Sequence, residues 1–119
     1  MTTENPRVLQ SVALNELTAP VVLASLAKDR RVVVRVGVAN NPSAATSLLT
    51  ELAKDKRAKV RAGVASNPST PTGVIASLAK DRRVIVRVGA AGNPSVPTTI
   101  LTELARLDVR RRAAPTHSG

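Results

Sequence analysis

The stretch LAKDRRVVVRVGVANNPS at positions 26–43 decides the fold, because it occurs three times. It returns as LAKDKRAKVRAGVASNPS at 52–69 and as LAKDRRVIVRVGAAGNPS at 78–95. Asn-Pro stands at 41–42, 67–68 and 93–94, and Lys-Asp at 28–29, 54–55 and 80–81, so every interval is 26 residues. Self-similarity at a fixed period of this length marks a stack of structural repeats, each too small to bury its apolar face alone.

The pattern extends outward from these copies. APVVLASLAKD (19–29), AATSLLTELAKD (44–55), TPTGVIASLAKD (70–81) and PTTILTELARLD (97–108) are four versions of one segment. Upstream, Val8, Val12, Ala13 and Asn15 hold the places of Val34, Val38, Ala39 and Asn41, but the arginine and the Asn-Pro are missing. Four units follow, at about 7–29, 30–55, 56–81 and 82–108, in one repeat domain over 1–112, with a loose tail at 113–119. Imperfect end units are expected where a stack meets water.

Each unit divides into two helical segments. Leu23, Leu26 and Ala27 lie at i, i+3, i+4, and the set recurs as Leu49, Leu52, Ala53, as Ile75, Leu78, Ala79 and as Leu101, Leu104, Ala105. That spacing is one face of a helix about ten residues long. Ser43, Ser69 and Ser95 are the expected N-caps, with Pro71 and Pro97 in the first turn. The other segment, RRVVVRVGV (30–38), alternates like a strand, but the middle copy KRAKVRAGVA (56–65) puts Ala or Lys at 58, 59 and 62. Such changes would ruin a strand and suit a short helix, in which Val60, Val64 and Ala65 keep one face apolar. Asp29, Asp55 and Asp81 are placed to cap it, and Gly37, Gly63 and Gly89 leave room for a neighbouring helix. End units should be less covered, so Leu104 is expected to be less buried than Leu52 and Leu78.

Composition narrows the chemistry. There is no cysteine, which removes disulfides, thiolate catalysis and cysteine-held metals, and no Phe, Trp or Tyr. His117 is the single histidine. No catalytic residue, metal or cofactor is expected, and the chain reads as a non-enzyme. Without an aromatic ring it cannot stack a flipped base or tile single-stranded DNA. No signal peptide or apolar span is evident, so a cytoplasmic, bacterial-type protein is the expectation, nucleoid-associated if it binds DNA.

The consensus L-A-x-D-x-x-x-x-V-R-x-x-V-A-x-N-P-S-x-P resembles the variant leucine-rich repeat family over residues 8–112. The resemblance implies a short right-handed α-solenoid in which α-helices alternate with 3₁₀-helices, the second segment being the tighter and shorter one. The iron–sulfur cluster known in that family does not carry over, for want of cysteines. Arg30-Arg31, Lys56-Arg57 and Arg82-Arg83 stand where family repeats commonly carry acidic or proline residues.

Charge supplies the functional signal. The net charge is +10, with 18 Lys and Arg against 8 Asp and Glu. Windows 28–35, 54–61 and 80–87 hold 13 of the 18, and four more lie in 106–112. Stacking would set equivalent residues in ladders: Lys28, Lys54, Lys80, Arg106; Arg30, Lys56, Arg82; Arg31, Arg57, Arg83; and Arg35, Arg61, Arg87, with Arg110 beyond them. With helices about 8–10 Å apart, these ladders form a basic stripe roughly 30 Å long, near one turn of duplex DNA. Backbone-directed, weakly sequence-selective binding of double-stranded DNA is the expectation. Arg35, Arg61 and Arg87 have a second reading, in which they hold neighbouring units together through the aspartates. The alternative partner is an acidic protein surface on the same stripe. A membrane partner is not expected, and a homodimer is possible on this reading.

Overall fold

The computed structural model describes residues 4–113, with side chains through Arg110. It contains α1 (Pro6–Leu14), α2 (Pro20–Leu26), α3 (Val32–Ala39), α4 (Thr46–Leu52), α5 (Ala58–Ser66), α6 (Thr72–Leu78), α7 (Val84–Ala91) and α8 (Thr98–Ala113), and no strand among the described residues. The odd-numbered helices begin at 6, 32, 58 and 84 and the even-numbered ones at 20, 46, 72 and 98, so the period of the sequence is the period of the fold. The odd helices stack upon one another, and each even helix packs on its odd neighbours. The result is an all-helical solenoid of 61 × 30 × 17 Å. Its radius of gyration is 16.0 Å, against about 13 Å for a globule of this length.

The core is a repeated layer of aliphatic side chains. Leu23, Leu49 and Ile75 are buried between the two helix layers, as are the pairs Val34–Val38 and Val60–Val64 and, in the last unit, Val86–Ala90. Close stacking of the odd helices requires the glycines. A Cβ on Gly37 would lie 2.8 Å from the Cβ of Ala13, and one on Gly63 2.9 Å from that of Ala39. Leu104 is as buried as Leu52 and Leu78, contrary to expectation; the exposure of the last unit falls instead on Leu101.

The second segment is α-helix, not 3₁₀. Its amides bond four residues back, as in Asn40 N–H to Val36 O at 3.0 Å, and it runs 8–9 residues against 7 for α2, α4 and α6. The tighter i→i+3 bonds gather where those shorter helices end, as in Asp29 N–H to Leu26 O. Ample burial on both sides outweighs the poor helix propensity of valine.

The expected caps also resolve differently. Ala45 and Pro71 occupy the N-cap positions of α4 and α6 without a side-chain bond, Pro97 precedes α8, and Ser43, Ser69 and Ser95 lie further upstream. The amides of those serines bond to the side chains of Asn41, Asn67 and Asn93, and the Ser69 and Ser95 hydroxyls donate to Pro42 O and Pro68 O one unit back. The asparagines form a buried ladder. Asn67 Nδ2 donates to Ala39 O and Asn41 O at 2.8 Å each, and Asn93 repeats this to Ala65 O and Asn67 O at 2.7 and 2.8 Å. Each buried amide thus satisfies two carbonyls of the previous unit while holding its own turn.

Asp29, Asp55 and Asp81 stand two residues before the N-caps Arg31, Arg57 and Arg83, and each accepts that arginine's amide at 2.9 Å. This Asx turn ends one helix and starts the next. Leu107 stands at the corresponding place in the last unit and cannot accept an amide, so the helix runs on, and α8 has 16 residues. Ala113, the first residue of the expected tail, ends α8, and 114–119 lie outside the described residues.

Candidate nucleic-acid interface

The turns at 28–31, 54–57 and 80–83 join even to odd helices along one edge of the solenoid. One arginine per unit sets them in register. Arg35 Nη1 donates to Asp29 O and Arg30 O of its own turn at 2.9 and 3.0 Å. Its Nε and Nη2 reach Asp55 Oδ2 and Oδ1 of the next turn at 2.8 and 3.2 Å. Arg61 repeats the arrangement, from Asp55 O and Lys56 O to the Asp81 carboxylate, with the same 2.8 and 3.2 Å distances to the acid. A bidentate pair of this kind fixes both position and angle between neighbouring turns.

Arg35, Arg61 and Arg87 therefore leave the set of expected phosphate ligands. Their guanidiniums are taken up inside the ladder and largely covered, which matches the second reading of the sequence. Burial alone would raise the Asp55 and Asp81 carboxyls; hydrogen bonds from the arginines and the turn amides outweigh it, and both are held below the usual carboxylate range. The Asp81 bond in turn raises Arg61.

The first turn departs from the others. Leu9 holds the place of the stapling arginine, so no upstream guanidinium reaches Asp29. Asp29 pairs instead with its own Arg31, at 2.9 Å from both Nε and Nη2, and Arg31 also meets Glu4 at 2.8 Å. Those bonds, above all the side-chain bond from Arg31, lower Asp29 to about 2. Arg31, raised by the same contacts, is thus engaged and half-buried, while Arg57 and Arg83 are exposed.

What remains is a row of cations without acids. Lys28, Arg30, Lys54, Lys56, Arg57, Lys80, Arg82 and Arg83 are exposed, and among the described residues their side chains make no hydrogen bond or ion pair. Arg110 is exposed too, but it lies on the continuous α8 and not in a fourth turn. Sequence reasoning weighed the stapling role of Arg35, Arg61 and Arg87 but missed the engagement of Arg31 and the whole asparagine ladder. The invariance of Asn-Pro over three units was the available signal.

Three turns of unpaired cations on a rigid helical stack define a repeat solenoid with a cationic edge. None of the described helices is long and apolar enough to cross a membrane. No family model matches the chain, and neither a curated protein nor a solved structure matches it. The likeness to the variant leucine-rich repeat family therefore rests on the quoted residues alone.

Proposed function

We propose that the chain binds double-stranded DNA through this edge, reading the phosphate backbone and little of the sequence. The observation that carries the reading is the allocation of charge: the aspartates of the three turns are consumed by Arg31, Arg35 and Arg61, while the adjacent cations are left unpaired. Turns spaced by one helix-packing distance, about 8–10 Å, span roughly 30 Å once side-chain reach is included, about one turn of duplex. Nothing on the edge resembles a long recognition helix bearing Asn or Arg for base edges, and the chain has no aromatic residue for stacking on single strands.

Titration with random-sequence duplex at several salt concentrations tests it. Contact with about six phosphates gives log K against log salt a slope near −5, with affinity nearly independent of sequence. Absence of binding at about 50 mM salt would remove the duplex and leave an acidic protein surface as the partner of this edge.

A further inference from the structure

Every inner junction of the ladder is built alike: α5 rests on α3 and α4, and α7 rests on α5 and α6. Among the described residues, no helix rests on α7 and α8. A groove of about 310 Å³ runs between them, lined on one side by Val84, Val88 and Ala91 and on the other by Leu101, Leu104 and Ala105, with the ion-paired Arg87 and Asp108 also on its wall. Val84 and Val88 are 60% and 63% exposed. Their counterparts one unit back, Ala58 and Ala62, are half-buried, and Ile75, the counterpart of Leu101, is fully buried. A contiguous apolar end face on a strongly charged chain marks an interaction surface.

We propose that this face binds a second copy of the chain, tail to tail, with α7 of each copy lying in the α7–α8 groove of the other. At every inner junction the corresponding face is covered by the odd helix of the next unit of this same chain. Head-to-tail continuation would bring α1 of the second copy there, and α1 lacks the parts. Ser11 stands in the place of Gly37, Gly63 and Gly89, and a Cβ on Gly37 would already lie 2.8 Å from the alanine beneath it. Thr3 stands in the place of the aspartates that receive Arg35 and Arg61. An open filament is thereby blocked, and a closed two-fold pairing of like faces is what remains. On α7, Val84, Val88 and Ala91 fall at i, i+4 and i+7, one stripe whose small end lets two backbones cross closely. Each copy carries a net charge of +10, so dimerisation strengthens with salt, opposite to DNA binding. The inference stands independently of the proposed function.

Sedimentation of the full chain in about 0.5 M salt, which strips nucleic acid, tests it. At about 50 µM chain, above the Kd of a stable dimer, we expect twice the 12.4 kDa chain mass. Val88→Asp should sediment as a monomer with unchanged helicity, since Val88 is 63% exposed. Val8→Asp, at the opposite end, should remain a dimer. A monomeric wild type, or a Val88→Asp dimer, overturns the proposal. A mass that climbs past the dimer with concentration overturns it in favour of head-to-tail growth.

Discussion

The inner junctions and the ends of the solenoid are made from the same unit but solve different problems. Between units, Arg35 and Arg61 each grip a carboxylate with two nitrogens, and the aliphatic layer is sealed on both sides. At the C-terminal end Arg87 reaches Asp108 through Nη2 at 3.1 Å, and its buried Nε finds no partner among the described residues. The acid has slipped one residue along, because Leu107 stands in the aspartate's place. At the N-terminal end the stapling arginine is absent and Asp29 turns to Arg31. The difference teaches that the paired arginines belong to the architecture, and that free charge on the edge is what the staples leave over.

The comparison breaks first at the core. Ile75 is 0% exposed and Leu101, its counterpart at the end, is 39% exposed. Ile75→Ala should cost about 2–5 kcal/mol by urea unfolding, and Leu101→Ala under about 1.5 kcal/mol when the monomeric Val88→Asp chain is the background. Equal penalties in that monomer would mean that the last unit is packed as tightly as the inner ones.

The staples come next. Asp81→Ala strands Arg61 and should cost about 3 kcal/mol, because both side chains are nearly buried. Asp108→Ala removes a carboxylate that is 45% exposed and should cost less than Asp81→Ala. If both variants melt alike, the inner pairs carry no more than surface charges do.

Acid should act through the same groups. Asp29, Asp55 and Asp81 titrate lower in the fold than in the unfolded chain, Asp29 at about 2. Their contribution is complete above the unfolded value, about 3.9, and is lost as pH falls through the folded values. The melting temperature should therefore be flat above about pH 5 and decline between about pH 4 and 2. A flat profile through that window would contradict the lowered carboxyls.

Much of this was legible in the sequence. The period, both helix faces and the glycine sockets follow from spacing alone, since burial acts on the same positions in every unit. The asparagine ladder was not, because Asn67 bonds to carbonyls that belong to residues 26 and 28 positions away. The residues pointed to a short helix in the second segment, and the 3₁₀ form that the family resemblance implied is the part that the structure corrects. The caps were misplaced because Asp55 serves an Asx turn and a neighbour's guanidinium together, a double duty that no local rule shows. The basic ladders were found, but only the structure sorts Arg30 and Arg57, which face solvent, from Arg31 and Arg35, which are engaged.

On the proposed function, the unpaired turn cations, and not the stapling arginines, hold the duplex. Replacing Arg30, Lys56 and Arg82 together with Gln alters side chains that make no bond in the fold, so the melting temperature should stay within a few degrees. The measurement is the salt dependence of duplex binding by this triple variant. If each of the three contacts one phosphate, the slope of log K against log salt should shrink by about 2.7, close to half its wild-type size. An unchanged slope in a folded variant would contradict the account.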